Sequence, residues 1–284
     1  MQQALLSWWE RNGRDLPWRR TRDPWAVLIS ETMLQQTQVP RVETRFPAFL
    51  EEFPTPAACA ARPGGDVVRA WAGLGYNSRA LRLHQCATAV VERHGGSLPD
   101  DLEALLALPG VGPYTARAIL VFAFERDIGL VDTNAGRFLS RAGAGRALER
   151  REAQVLADSL VPRGRGWSWG QAVFDLGALV CVKRSPRCDV CPIVHECRWA
   201  QAGFSPPDPV VGSAGISGGQ SAFEGSDRQG RGRLVDALRL GPVAMGDLPE
   251  VMGWPDDVLR AGRVAETLVR DGLAVAEEDL LRLP

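Results

Sequence analysis

A short run near the middle of the chain carries the clearest structural signal: Leu108-Pro109-Gly110-Val111-Gly112-Pro113-Tyr114-Thr115-Ala116. Two glycines that flank one apolar residue predict a tight hairpin, and Pro113 predicts a helix that begins directly after it. Backbone amides at Gly110 and Gly112 can approach a ligand closely, and a helix N-terminus adds positive potential, so this hairpin could bind phosphate. An ordinary turn between helices has the same local pattern, so its surroundings decide the interpretation.

Those surroundings are predicted to be helical over residues 1–203, with no alternating strand pattern of useful length. Asp23-Pro24 is typical of a helix start. The predicted helices cover residues 25–36, 41–52, 66–73, 78–93, 100–107, 113–124, 133–141, 150–160 and 167–180. We expect a helical domain over 1–203.

The remainder of the chain is predicted to form a linker and a small second domain. Residues 204–225 are rich in Pro, Gly and Ser, which is typical of a linker. Residues 226–284 contain three helical patterns, near 227–239, 246–252 and 256–271, and two short apolar runs, 273–276 and 280–283. Three helices and a small hairpin predict a winged-helix-like α+β module.

Composition and charge narrow the function classes. The 284 residues are 45% hydrophobic, so a packed core is expected. There is neither an apolar run of membrane-spanning length nor a signal-peptide pattern, so we expect a cytoplasmic protein that does not contact membranes. The net charge is −1, but residues 1–203 carry 25 basic and 21 acidic side chains, against 8 and 13 in 204–284. A basic body with an acidic tail suits a DNA-binding protein, although a solvated surface has the same appearance.

Four cysteines lie within 17 residues, in the spacing C-x6-C-x2-C-x5-C: Cys181, Cys188, Cys191 and Cys197. Four thiolates so close together can bind one metal centre. Zinc accepts four cysteines, but zinc ribbons usually pair two CxxC knuckles. One compact, uneven loop with Pro192 after the third cysteine fits a [4Fe–4S] cluster better, with zinc as the alternative. Cys59 and Cys86 lie inside helical patterns and are interpreted as core residues.

Two carboxylates stand out by position. Asp132 ends the apolar run 129–131, where a plain helix N-cap is the simplest interpretation. Glu31 lies among Val27, Leu28, Ile29, Met33 and Leu34, where a solvated neighbour of the core is the simplest interpretation.

Together the hairpin, Asp132 and the cysteine loop resemble the endonuclease III superfamily, the helix–hairpin–helix–Gly/Pro–Asp glycosylases. The resemblance covers residues 1–203 in order and spacing. Within it, Ser30-Glu31-Thr32-Met33-Leu34-Gln35-Gln36-Thr37-Gln38-Val39, Gly73-Leu74-Gly75-Tyr76 and Val131-Asp132-Thr133-Asn134 are similar to the adenine-removing MutY branch. It implies an all-α, two-lobed fold with an iron–sulfur loop at 181–197, acting as a monomer on double-stranded DNA that contains a mispair.

The resemblance also implies roles for individual residues. Glu31 would protonate adenine at N7, helped by a pKa that burial raises, and an ionised Asp132 would stabilise the positive sugar carbon. Tyr114 and Asn134 match positions that hydrogen-bond this carboxylate region, and Gln171 matches one that reads the adenine edge. Gln36 and Tyr76 match residues that fill the gap left by the extruded base. The candidate phosphate or site contacts are Gly110, Gly112, Arg14, Arg19 and Arg137.

Strand cleavage through a Schiff base needs an amine nucleophile. Members that cleave DNA place Lys where this chain has Tyr114, and its only lysine, Lys183, lies two residues after Cys181. The sequence therefore predicts a monofunctional glycosylase.

Two differences from the family pattern leave open which base lies opposite the excised adenine. Longer MutY proteins carry a MutT-like domain that reads 8-oxoguanine, and residues 204–284 are too short for a typical one. Asn77 stands where the family often has an aromatic residue. Adenine opposite 8-oxoguanine or guanine is the expected substrate. The alternatives are a thymine–guanine mismatch glycosylase of the same fold and a non-catalytic iron–sulfur protein that binds DNA or senses redox state.

Overall fold

A computed structural model describes residues 1–213 and 222–284. Over these residues the chain forms fifteen α-helices and three short strands. The helices are α1 Gln2–Asn12, α2 Pro24–Leu34, α3 Val39–Glu52, α4 Pro56–Ala60, α5 Gly64–Ala70, α6 Ser78–His94, α7 Leu102–Leu106, α8 Pro113–Phe122, α9 Thr133–Phe138, α10 Arg150–Ser159, α11 Gly166–Leu179, α12 Arg198–Gln201, α13 Asp227–Leu240, α14 Leu248–Met252 and α15 Val258–Arg270. The strands are β1 Val243–Ala244, β2 Val275–Glu277 and β3 Leu280–Arg282.

Twelve of the fifteen α-helices in the described ranges lie where the hydrophobic periodicity predicts them, and local caps explain several of their ends. The Asp23 carboxylate accepts hydrogen bonds from the backbone N–H groups of Trp25 and Ala26 at 3.2 and 3.3 Å, so α2 begins at Pro24 as predicted. The predicted helix at 133–141 is an α-helix only to Phe138 and continues as a π-helical turn, Leu139–Ala144. Helices α1, α4 and α12 and strand β1 were not predicted. None of the helices in the described ranges has the length and hydropathy that crossing a bilayer requires.

The described residues divide into two compact units. The first comprises residues 1–27, 100–102 and 112–213. In its core, Leu5 of α1, Phe138 of α9 and Leu176 of α11 are buried together, and the ring of Phe138 lies 5.9 Å from that of Trp169. Part of the cysteine loop packs against the same core, so this unit supports both Asp132 and the cysteines.

The second unit comprises residues 28–99, 103–111 and 222–284. In its helical part Phe49 of α3 packs edge-to-face on Trp71, with ring centroids 5.5 Å apart. The C-terminal residues of this unit form α13, β1, α14, α15, β2 and β3, with an antiparallel sheet of order β1-β3-β2. The mainly helical fold with a small C-terminal sheet is confirmed, and the element order is that of a winged helix.

Part of the predicted linker is packed. Of residues 204–225, 214–221 lie outside the described residues. Before them, Asp208 forms an ion pair with Arg141 at 2.6 Å, and Ser140 Oγ lies 2.8 Å from Ser213 Oγ. The division into domains at 1–203, 204–225 and 226–284 stays a prediction.

Candidate active site and cysteine loop

Asp132 caps the N-terminus of α9 in the first unit. Its Oδ1 accepts hydrogen bonds from the backbone N–H groups of Asn134 and Ala135 at 2.9 and 2.7 Å, so the plain N-cap interpretation holds. The Asn134 side-chain amide also donates to Oδ2 at 2.8 Å, which leaves both carboxylate oxygens oriented by the protein. Burial raises the pKa of Asp132, while these donors and the charge of Arg137 oppose the rise.

Arg137 connects this carboxylate to the cysteine loop. Its Nη2 donates to Asn134 Oδ1 at 2.6 Å and to the Gly177 carbonyl at 2.6 Å, and its Nε donates to the Cys181 carbonyl at 2.8 Å. A Cβ on Gly177 would lie 2.6 Å from the Asn134 Cβ, so α9 and α11 approach here as closely as only glycine permits. Hydrogen bonds therefore run without a break from Asp132 through Asn134 and Arg137 to the first cysteine of the loop.

Two more predicted site residues belong to the first unit. Tyr114 lies in α8, half-buried, with its ring stacked at 6.5 Å on Phe174 of α11. Gln171 is buried on α11. The structure thus places Asp132, Asn134, Tyr114 and Gln171 in the same compact unit.

The four loop cysteines line one pocket beside the core of the first unit. All are free thiols, and burial raises the pKa of Cys191 to about 11. Among the residues described, no three His, Cys, Asp or Glu side chains converge closely enough to hold a single metal ion. Four thiols that line one pocket match the ligand number of a [4Fe–4S] cluster, which is bound by four cysteines.

The other two cysteines are core residues, as predicted. Cys59 and Cys86 are buried, and burial raises the pKa of each thiol to about 12. Neither forms a reactive thiolate near neutral pH.

In the second unit, Glu31 is buried on α2 and keeps only 6% of its surface exposed. The solvated-neighbour interpretation is therefore wrong for this side chain. A carboxyl group this deeply buried either has a structural partner or serves the chemistry.

Gln36 and Tyr76, the two predicted wedge residues, have left-handed backbones, with φ of +55° and +46°. For residues other than glycine this conformation costs about 1–3 kcal/mol and persists only where the surroundings enforce it. Tyr76 is also 39% exposed, as a side chain that enters DNA must be. Gly73 and Gly75, just before it, also have positive φ, a conformation that glycine adopts without strain.

Arg79 of α6 contacts the residues on both sides of Gln36 and the carbonyl of Tyr76, and sequence reasoning missed it. Its side chain is buried, and burial lowers its pKa to about 10. Seven oxygens lie within hydrogen-bond distance of its guanidinium: the carbonyls of Thr32, Met33, Gln35, Leu74, Gly75 and Tyr76 and the hydroxyl of Thr37. One side chain thus binds the C-terminal carbonyls of the Glu31 helix and the loop that carries Tyr76.

Arg19 forms a buried ion pair with Asp175 inside the first unit. Its two terminal nitrogens donate to the two carboxylate oxygens of buried Asp175, at 2.7 and 2.8 Å, and Arg14 Nε donates to the same group at 2.7 Å. Trp9 completes the set through its indole N–H at 3.1 Å. This geometry favours a structural ion pair over the predicted contacts of Arg14 and Arg19 with the site or with DNA.

The hairpin has the predicted backbone. Gly110 adopts φ +75°, and a Cβ there would lie 2.9 Å from the Cβ of Arg82. Gly112 is the N-cap residue of α8, and apart from its chain neighbours no described residue has an atom within 4 Å of the Cβ position built on it. The space that a side chain would fill is open for a ligand to approach the helix N-terminus.

Comparison with known proteins identifies the fold and the relatives. A family model described as HhH-GPD superfamily base excision DNA repair protein matches residues 29–163. The adenine DNA glycosylase of Mycobacterium tuberculosis is 43% identical over 97% of this chain and 90% of its own length, and that of Homo sapiens is 38% identical over 81% and 44%. Among solved structures, a thermostable thymine-DNA glycosylase matches with a TM-score of 0.66 at 29% identity, over 70% of this chain and 94% of its own. An endonuclease III–DNA covalent intermediate matches at 0.63 and 23%, over 72% and 95%, and shows the fold alone.

Proposed function

The chain belongs to the HhH-GPD superfamily of base excision DNA repair proteins, and from its relatives within it we propose that the chain is an adenine DNA glycosylase that hydrolyses the N-glycosidic bond of mispaired adenine. The observation that carries the proposal is the 43% identity with the M. tuberculosis adenine DNA glycosylase over 97% of this chain. Buried Glu31 and oriented Asp132 supply the two carboxylates that such a reaction uses.

The two carboxylates divide the work. Breaking the bond needs a proton on the leaving base and stabilisation of a sugar with oxocarbenium character. Glu31 donates the proton to adenine N7, and Asp132, held at an α-helix N-terminus by Asn134, stabilises the positive carbon in its ionised form. Tyr114 and Asn134 orient this region, and Gln171 reads the adenine edge.

Binding to DNA uses the strained loops and the hairpin. Gln36 and Tyr76 fill the gap when adenine leaves the stack, while Gly110 and Gly112 admit a phosphate to the backbone amides. The substrate is double-stranded DNA with adenine opposite 8-oxoguanine or guanine, bound by one protomer in the bacterial cytoplasm. Thymine opposite guanine is a less favoured substrate, because the thymine-DNA glycosylase is 29% identical over 70% of this chain, against 43% over 97% for the M. tuberculosis adenine enzyme.

The four loop cysteines hold a [4Fe–4S] cluster in this proposal. Their common pocket, free thiols and uneven spacing support it. When bound, the cluster cross-links residues 181–197 and can exchange electrons. Purified protein should be brown, absorb near 400 nm and contain about four iron atoms, each the signature of such a cluster. One zinc and no iron would contradict the assignment.

The function is tested by base release under single-turnover conditions. Duplexes carry adenine or thymine opposite 8-oxoguanine or guanine, and strands are analysed before and after alkali. Adenine should be released fastest, and the strand should stay intact until alkali is added, because Tyr114 replaces a lysine nucleophile. Release of thymine alone would favour the mismatch enzyme of the same fold.

The Glu31→Gln variant tests the acid. Glutamine is similar in size but donates no proton, so adenine release should fall by about 10²–10⁴-fold while duplex affinity stays close to wild type. Asp132→Asn should be comparably severe, and the double variant should lose less than the product of the two single losses, since both residues serve one transition state. A Glu31→Gln enzyme with near-normal rates would refute the mechanism.

A further inference from the structure

The C-terminal module, residues 226–284, has no part in the chemistry above, yet it lies against the helices that carry the Tyr76 loop. The backbone N–H of Gly65 in α5 donates to the carbonyl of Pro284 at 2.7 Å. A Cβ on Gly65 would lie 2.4 Å from that oxygen, so no side chain fits between the two backbones. The module is therefore docked on α5 by close backbone contact.

A single side chain of the module extends this contact to the loop. Arg239 of α13 keeps 9% of its side-chain surface exposed. Its Nε donates to the Val68 carbonyl in α5 at 3.0 Å, and its Nη2 donates to Asn77 Oδ1 at 2.7 Å. Asp236 neutralises it through Nη1. One guanidinium thus joins the module, α5 and the residue that directly follows Tyr76.

Asn77 is used in an unusual way. It is the N-cap residue of α6, and asparagine is among the residues best suited to cap a helix with its side chain. Here its side chain makes no capping hydrogen bond, and its carbonyl oxygen accepts from Arg239 instead. The residue directly after Tyr76 is therefore the one that the module binds.

We propose that the C-terminal module braces the Tyr76 loop, and that Arg239 and Asn77 are positioning residues for its insertion into DNA. Because Tyr76 is strained at φ +46° and exposed, a fixed neighbour on its C-terminal side limits the conformations the loop must give up on binding. Binding energy is then available to extrude the base. This inference rests on the proposed function, since it takes Tyr76 to be the residue that enters the duplex.

The test is a double-mutant cycle on the whole chain. Asn77→Ala removes the acceptor but leaves the Arg239–Val68 and Gly65–Pro284 contacts, Asn77→Asp keeps an acceptor, and Arg239→Ala removes the donor. Each is assayed on a duplex with adenine opposite 8-oxoguanine for single-turnover rate and affinity. Base extrusion is followed by the fluorescence of 2-aminopurine in place of the adenine. Arg282→Ala is the control, because it removes an equal charge from the same module at a side chain whose partners among the described residues are Glu277 and the Leu283 carbonyl.

Asn77→Ala and Arg239→Ala should each lower the single-turnover rate and the extrusion signal roughly tenfold, as expected when a coupling of this kind is lost. The double variant should be no slower than either single one, Asn77→Asp and Arg282→Ala should resemble wild type, and Asn77→Ala should keep the wild-type unfolding temperature. The proposal would be overturned if Asn77→Ala released adenine at the wild-type rate, or if the rate losses of the two single variants multiplied in the double variant. A wild-type enzyme that releases no adenine from any duplex would instead overturn the proposed function.

Discussion

Replacing Arg79 should weaken the fold and the Tyr76 loop together. In Arg79→Ala the carbonyls of Thr32, Met33 and Gln35 at the end of α2 lose their shared donor. An unsatisfied buried acceptor costs about 1–3 kcal/mol, so three at the lower bound amount to about 3 kcal/mol. Since 1 kcal/mol shifts the unfolding midpoint by about 2–4 °C in a protein of this size, we expect a decrease of about 6–12 °C.

Thermal unfolding followed by circular dichroism at 222 nm measures this decrease, and single-turnover adenine release measures the loss of positioning. Arg79→Lys should be intermediate, because one ammonium cannot reach oxygens spread over two segments. Arg93→Ala is the matched control: the same helix loses an exposed arginine, and its midpoint should move by no more than about 1–2 °C, because surface substitutions change stability by about 0.5 kcal/mol or less.

An Arg79→Ala protein that unfolds at the wild-type temperature would refute the reasoning. It would mean that water or backbone donors already satisfy the α2 carbonyls. An Arg79→Ala protein of wild-type stability with reduced adenine release would support the positioning role of Arg79 and refute its predicted contribution to the free energy of unfolding.

Three further predictions follow from the first unit. Asp175→Asn should destabilise the protein by about 3–5 kcal/mol in urea titrations near neutral pH, because two guanidinium groups lose their counter-ion. Burial opposes ionisation of Asp175, but Arg19 and then Arg14 hold its pKa below the usual value. The ionised carboxylate therefore stabilises the fold fully above pH about 4, and this stabilisation is lost as the pH falls through the lowered pKa. The pH profile of Asp175→Asn should lack this loss. Gly177→Ala should slow adenine release, because its Cβ would lie 2.6 Å from Asn134 Cβ, whereas Gly232→Ala, with open space around it on α13, should leave the rate unchanged. The single-turnover rate should fall at acidic pH with an apparent pKa above the ordinary aspartate value of about 3.9, because burial raises the pKa of Asp132 and protonation removes its charge. An apparent pKa below that value would exclude Asp132 as the titrating group.

Much of the fold was predictable because it depends on local rules. The hydrophobic period identifies amphipathic helices, and Asp23-Pro24 and Gly112-Pro113 mark two of their starts. Strand β1 escaped prediction because it is two residues long and exists only through pairing with β3. The break in the 133–141 helix escaped too, since the π-helical turn after Phe138 leaves no signal in periodicity.

The residues of the candidate site could be predicted wherever they belong to a sequence motif. Arg79 belongs to no such motif, and its role could not be predicted. An arginine in an amphipathic helix is ordinarily a solvated residue, and nothing local distinguishes Arg79 from exposed Arg82 on the next turn. The difference arises from tertiary placement: α6 brings Arg79 beneath carbonyls that are more than 40 residues earlier in the chain. The same reason hid the partners of Arg19 and Arg239, whose acceptors are 156 and 162 residues away.

The preference for arginine, with one lysine among 33 cations, has a physical reason at three positions besides any compositional bias. Arg79, Arg137 and Arg141 each bind several oxygens from separate segments. Arg79 binds the end of α2 and the Gly75 carbonyl. Arg137 binds Asn134 of α9 and the Cys181 carbonyl, and Arg141 binds Asp208 and the Val182 carbonyl. A planar guanidinium has five donors in fixed directions and keeps its charge when buried, whereas a lysine would offer three from one point and lose its proton more readily. At these three positions a buried guanidinium joins separate segments in a way that a lysine ammonium cannot.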